Sequence, residues 1–521
     1  MLDARTDQVA ERLTARIAII GAGAAGLTLA ERLSRRMDGV LLVESGGMAI
    51  DGATQALAAG RSLGVRYFDL LSTRLRLYGG TTNHWTGFCR VHSPIDFEGR
   101  PELGVLPWPV RRADMEPYLR AAAELFGIDS RFDDQAAIVA SRGLDPAQLI
   151  ERHPDFSGAI VTRSFQLTER LKLGEVLGDT LAARPGLTQV LNLNAVEVVP
   201  GNGRRIAFVR ARTTTGKEVE IRADTFVLAC HGIENARKLL NSTARAPEGV
   251  GNATGNVGRH FSEHGAFVHS TMIPAAGFRE VYDYDLATSR RLDVHLALPA
   301  ETMRANGVLN YYCRLVPRYS EPGVHQAMDR LWKSFLEPFR PAMLADMRTV
   351  LSDLPGAVNE AFGKLRPQWQ RPSFYLLRHR FEQAPNPDSR VVLSSRRNAL
   401  GQREADLDWQ FRDLDLRTVE VGIDTAIREL SALGFGRVAK EPLSRAVLEA
   451  RVNGTHHQMG TTRMSADPKD GVVDGNGRVH EHDNLYIAGS SVFPNPGDGG
   501  PTIMLVAMAM RLADHLAGQH A

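Results

Sequence analysis

Ile17-Ala18-Ile19-Ile20 is a short apolar run of the kind buried on both faces in a parallel sheet, and Gly21-Ala22-Gly23-Ala24-Ala25-Gly26 follows it directly. The glycine run opens a helical pattern through Leu33, and Val40-Leu41-Leu42-Val43-Glu44 supplies a second apolar strand ending in an acid. Strand, G-x-G-x-x-G, helix, strand and acid within about 30 residues form the fingerprint of a dinucleotide-binding unit. Gly21 permits the tight turn, Gly23 lets backbone approach a pyrophosphate, and Gly26 lets helix pack on sheet. Glu44 is placed to bind ribose hydroxyls. A merely glycine-rich turn between strand and helix would not require that terminal acid.

The same pattern returns later. Leu191 to Val198 reads as a strand, Asp224 to Ala229 as a buried strand leading into a helix after Gly232, and Leu485 to Ala488 as another short strand. A nucleotide domain assembled from discontinuous segments follows. Between about 265 and 445 the composition changes, and Val391–Leu393 and Ala405–Trp409 read as strands of a second sheet. The expected fold is α/β: a Rossmann-type FAD-binding domain plus an α+β substrate-binding domain with a mainly antiparallel sheet. The expected division is 1–125, 186–265 and 446–521 for cofactor binding, with 126–185 and 266–445 for substrate. Residues 324–366 form a helical insertion with Leu331, Phe335, Phe339, Met343, Met347 and Leu351 at helical steps, broken by Pro338, Pro341 and Pro355. Core or lid packing is expected for that stripe, with an oligomer or membrane-contact face as the alternative.

With 521 residues, two or three domains are expected. A formal net charge of +2 gives no electrostatic case for nucleic acid. Three cysteines without C-x-x-C spacing argue against a disulfide framework and a zinc site, so no metal is expected. Met1 to Arg16 carries no apolar secretory core, and no apolar run approaches the roughly 20 residues of a membrane span. A cytoplasmic location is the expectation.

Near the far end lies Gly454-Thr455-His456-His457-Gln458-Met459-Gly460-Thr461-Thr462-Arg463-Met464. Imidazole titrates near neutral pH, so a histidine beside a redox cofactor can take the proton of an alcohol as hydride leaves. The plainer reading is two surface histidines, one solvated and one hydrogen-bonded.

Taken with Tyr78-Gly79-Gly80-Thr81-Thr82-Asn83-His84-Trp85, Ala229 to Asn235, Asn256 to Phe261 and Tyr486 to Ser491 in that order, the chain resembles the glucose-methanol-choline (GMC) flavoprotein oxidoreductases. The resemblance runs from Ile17 to the C-terminal helix but does not cover about 265–380, where such proteins choose substrate. It implies FAD, with the adenosine half on Gly21, Gly23, Ala25, Gly26 and Glu44, and backbone near Val196 and Ala229 closing over adenine and ribose. It places Gly79, Gly80, Thr82, Asn83, His84, Trp85 and Thr86 along the pyrophosphate, ribityl chain and flavin. Gly489, Ser490, Gly500, Pro501 and Thr502 complete the cofactor set. His84 stands where some relatives attach flavin covalently; the alternative is a histidine that packs beside the dimethylbenzene edge. The helix starting at Pro501 would turn its positive end toward the flavin N1/O2 region.

The resemblance also gives His457 the place of the catalytic base, with His456 pointing away or holding the turn. The implied reaction is oxidation of an alcohol, a sugar, glycoside or other polyol by analogy, with hydride passing to flavin N5. Oxygen, quinone or a redox protein remains open as electron acceptor. The chain departs from the family at Gly500, where a His or Asn commonly hydrogen-bonds the same substrate oxygen. Losing such a bond costs on the order of 3 kcal/mol unless replaced. Asn495, Asp498 and His92 are the candidates to replace it. Gly500 is also the ground for an alternative, a GMC-fold flavoenzyme of atypical chemistry such as a lyase, elimination or desaturation.

Overall fold

Arg12–Ile20 lies between Val40–Val43 and Glu218–Leu228, all parallel, in a computed structural model that describes residues 1–6, 9–278, 292–333, 341–363 and 372–520. Ile17, Ile19, Leu41 and Val43 are almost wholly buried because helices cover the sheet, which is why these strands are continuously apolar. Leu187–Leu191 and Leu2–Asp3 extend the sheet on one side. Leu485–Ile487 pairs in parallel with Glu218–Leu228, and the antiparallel strands Ile206–Arg212 and Asn194–Pro200 complete eight strands. Helix Ala24–Ser34, launched by the glycine turn, packs on the C-terminal helix Pro501–Gln519. The two ends of the chain therefore meet at one end of one sheet.

The expected strand Leu191–Val198 is instead two strands. Asn192 takes a left-handed conformation (φ 58°) and splits Leu187–Leu191, parallel to Val40–Val43, from Asn194–Pro200, antiparallel to Ile206–Arg212. Asparagine is among the few residues that adopt this conformation readily. The corner is pinned by Asn192 N–H on Gly46 O and Leu193 N–H on Glu44 O, both 3.0 Å.

The second sheet is wholly antiparallel, with seven strands in the order Gly436–Ala439, His264–Pro274, Phe374–Glu382, Tyr311–Arg318, Leu292–Ala297, Val161–Leu167 and Phe88–Cys89. Its outer face, with Tyr311, Cys313, Leu315 and Leu377, is buried beneath helix Asp413–Ala432. Helix and sheet approach so closely that a Cβ on Gly422 would stand 2.2 Å from the Tyr311 ring. The alternation that buries these residues turns Tyr312, Arg314, Arg378 and Arg380 to the opposite face. Val391–Leu393 and Ala405–Asp408 fall in a separate ribbon, Arg390–Arg397 with Arg403–Asp408. Two elements cross the expected boundaries: Phe88–Cys89, within 1–125, joins the antiparallel sheet, and helix Leu173–Ala182, within 126–185, packs on helix Ala24–Ser34.

The insertion forms helices Pro322–Lys333, Pro341–Ser352 and Leu354–Gly363. Val324, Ala327 and Ala357 are buried, whereas Trp332 (81%), Met347 (46%) and Leu351 (64%) are exposed. Over the described residues the stripe thus faces outward more than inward, contrary to the expected core packing; Phe335, Phe339 and Pro338 lie outside them. No helix among the described residues is long and apolar enough to cross a membrane.

Candidate active site

The strands ending at Gly21 and Glu44 open into a cavity lined by Gly21, Gly23, Ala25, Glu44, Gly80, Ala229, Gly489 and Ser490 among others. Ligands of such sheets bind at the carboxyl ends of the strands, as this location requires. Gly26 does not line it; a Cβ there would lie 1.8 Å from Gly21 O, so the helix can sit against the turn only with glycine. A Cβ on Gly23 would meet nothing within 4 Å, leaving the backbone open to the cavity. The Glu44 carboxylate accepts from Ala22 N–H (2.8 Å) and Gly46 N–H (2.9 Å), which fixes it at the cavity wall. Burial raises its pKa against those hydrogen bonds.

Val196 is not in the wall. Leu193 and Ala195, alternate residues on one face of the chain, line the cavity instead, and a bulge follows Ala195. Val196 packs with Leu57 and Leu400 while its carbonyl accepts from Gln402. Arg74 and Arg76, which the sequence reading passed over, also line the cavity, held by the buried Glu234 carboxylate at 3.0 and 2.7 Å. Lys238 donates to Ala195 O, and burial with the Arg76 charge lowers its pKa to about 8.

Ala24, Thr81, His231, Ser490 and Leu505 are shared with a second cavity, so the two form one long groove. The second cavity is lined by Thr82, His84, Trp85, Thr86, His456, His457, Gly500, Pro501 and Thr502. Gly79 and Asn83 stand behind this wall, the Asn83 amide donating to Tyr78 O and Gly80 O to hold the turn. Helix Pro501–Gln519 presents its N-terminus here with no side-chain cap, leaving its amides for a ligand. A groove with bare glycine backbone, a carboxylate at one end and an uncapped helix at the other fits a flavin dinucleotide.

His457 is held from both ends. Its backbone N–H donates to both oxygens of buried Glu263 at 2.9 Å, and its Nδ1 lies 2.8 Å from Nδ1 of His264. His264 Nε2 is 2.8 Å from Gly497 O, a pure acceptor, so His264 must carry its proton there. Burial, against the Gly497 bond, pushes the His264 pKa down to about 4, so it is neutral at pH 7 and its Nδ1 accepts. His457 then carries its proton on Nδ1 and leaves Nε2 bare. Burial, then the nearby His264, Arg380 and His456, hold His457 well below the ordinary imidazole range. Its free nitrogen faces the space at Gly500, where a Cβ would stand 3.8 Å from it.

His456 does not point away. It adopts φ 64°, stacks on Phe68 at 3.9 Å between ring centroids and lines the same cavity. None of the three candidates to stand in for a side chain at Gly500 reaches the cavity. His92 is buried against Trp108 and Phe493; Asn495 donates to Asp96 O; Asp498 is engaged by Arg90 and Ser93. The neighbour of His457 is His264, which sequence reading missed although Ser262-Glu263-His264 directly follows the Asn256–Phe261 motif. Glu263, His264 and His457 also have spacing for a metal ion. However, Tyr67, Thr455 and the His264 and His457 amides already occupy the carboxylate, and both His264 nitrogens are engaged.

The GMC oxidoreductase family model matches residues 385–509, which include the His457 turn and the start of the last helix. An FAD-dependent oxidoreductase model matches 16–252, the glycine fingerprint and most of the parallel sheet. The chain belongs to the GMC oxidoreductases. As a member it is an FAD-dependent oxidoreductase. It is 26% identical to paromamine 6'-oxidase of Streptomyces fradiae, over 96% of this chain and 91% of that one. It is 23% identical to 2-methyl-1,2-propanediol dehydrogenase of Mycolicibacterium austroafricanum, over 84% and 80%. The fold matches pyridoxine 4-oxidase from Mesorbium loti with a TM-score of 0.59 at 20% identity, covering 97% of this chain and 99% of that one.

Proposed function

We propose that this GMC oxidoreductase oxidises the alcohol of a sugar, glycoside or other polyol, with His457 as general base. The observation that carries this reading is the bare Nε2 of His457, facing the space at Gly500 in the groove. When bound, FAD supplies the hydride acceptor at flavin N5. His457 Nε2 accepts the hydroxyl proton, and the imidazolium Nδ1–H donates to the bare Nδ1 of His264, whose Nε2–H in turn donates to Gly497 O. His264 is a positioning residue: it fixes the tautomer of His457 without facing substrate. Glu263 holds the backbone of the same turn.

Gly500 is then room for a substrate. Its φ of −63° suits any residue, so the backbone does not demand glycine, and the absent side chain leaves the carbinol free to approach Nε2. The helix end at Pro501–Thr502 would hold the negative charge that gathers on reduction. Atypical lyase or elimination chemistry has no support beyond the identity of residue 500.

His457→Ala should bind FAD normally while alcohols reduce it about 10²- to 10⁴-fold more slowly in anaerobic stopped flow, the usual worth of a positioned base. Unchanged reduction would refute the assignment. His84 lines the groove beside Thr82 and Trp85, which supports it as a point of covalent flavin attachment. A yellow pellet after acid precipitation, lost in His84→Ala, is expected; a colourless wild-type pellet would refute attachment.

A further inference from the structure

The face of the antiparallel sheet turned away from helix Asp413–Ala432 carries an unusual charge arrangement. Arg314 stands directly opposite Arg378, and Tyr312 opposite Arg380. Like charges facing each other across two strands destabilise a sheet unless an anion intervenes. Among the described residues Asp293 meets Arg314 at 3.0 Å, and its other oxygen is 2.9 Å from His295 Nε2. That one carboxylate, already shared by Arg314 and His295, also stands in the field of Arg378 and Arg380, so a single anion faces three guanidinium groups. Arg378 still reaches solvent, and partial loss of water, then the charges of Arg380 and Arg314, hold it below its ordinary pKa.

Arg380 lines the same cavity as His457 and Gly500, and its Nε is buried with no hydrogen-bond partner. A buried guanidinium donor left unmatched beside a reaction centre points to a missing acceptor. Phe88 and Phe165 line the same cavity and give its wall an apolar stretch.

Resting on the alcohol-oxidising function proposed above, we propose that Arg380, backed by Arg314 and Arg378, anchors an anionic group on the substrate. The substrate is therefore an alcohol that carries a carboxylate or phosphate. A planar, two-pronged guanidinium suits either group, and binding would supply the acceptor that the sheet face lacks.

Matched probes test this on the FAD-loaded enzyme: glycerol against glycerate and glycerol 3-phosphate, and 4-methylbenzyl alcohol against 4-(hydroxymethyl)benzoate. Binding is read from the flavin difference spectrum, and turnover from anaerobic bleaching. At least one anion should bind about tenfold or more tightly than its neutral partner, the contribution of one charged hydrogen bond. The glycerate and phosphate arms distinguish the two anions. Arg380→Met should erase the preference, Arg378→Met should reduce it, and Arg380→Lys should restore part of it.

Equal binding of neutral and anionic partners, no spectral response to any anion, or a preference that survives Arg380→Met would overturn the anion site. Bleaching by neutral alcohols alone would do so while leaving the alcohol reaction standing. Conversely, Arg380-dependent anion binding with no bleaching by any alcohol would uphold the anchor and overturn the reaction.

Discussion

The two ends of the groove are built from different materials. At the dinucleotide end the wall brings glycine backbone at Gly21, Gly23, Gly80 and Gly489 together with the Glu44 carboxylate, and Arg74 and Arg76 stand in the same wall. At the chemical end it is side chains brought from distant stretches, among them Trp85, Phe165, Arg380 and His457, with His264 standing behind His457. A backbone site recognises what all dinucleotides share and is written as a local run of small residues. A side-chain site recognises one substrate and is assembled by the fold.

The sharpest way to break this contrast is at Gly26. Gly26→Ala drives a methyl to 1.8 Å from Gly21 O, a clash no side-chain motion relieves, so FAD content per protein should fall to near zero and all activity with it. Full flavin occupancy in that variant would show that the turn is not a rigid cradle. At the other end a methyl should be tolerated by the fold yet felt by the substrate. In Gly500→Ala the new Cβ meets His457 Nε2 at 3.8 Å and Phe88 O at 3.5 Å, ordinary contacts. FAD content and thermal stability should hold, while kcat/KM for a secondary alcohol falls about tenfold, roughly 1.4 kcal/mol of barrier. An unchanged kcat/KM would mean that the space at Gly500 is not where the carbinol sits.

The same contrast explains what could be read in the chain itself. The glycine fingerprint, Glu44, the parallel strands and the His457 turn were legible because each is a local pattern with a physical reason for its spacing. The break at Asn192 was not, since one residue in a left-handed conformation leaves apolar patterning intact on both sides. The cofactor contact expected at Val196 falls one position earlier, because alternation turns Leu193 and Ala195 into the cavity and Val196 toward Leu57 and Leu400. The partner of His457 was sought within a few residues of Gly500, whereas His264 arrives from another sheet, at the start of strand His264–Pro274. Arg380 lies in a stretch no motif covers, and only the register of Tyr311–Arg318 on Phe374–Glu382 reveals its neighbours.

In the proposed reaction His457 acts as a base because His264 fixes its tautomer. Anaerobic flavin reduction by one alcohol in wild type, His264→Ala, His457→Ala and the double variant, all with FAD bound, tests it most directly. His264→Ala should slow reduction by about 10- to 100-fold, the worth of a hydrogen bond to a group that becomes charged. In the His457→Ala background the same change should have no further effect, because its only route of action is gone. Additive losses in the double variant would contradict the account.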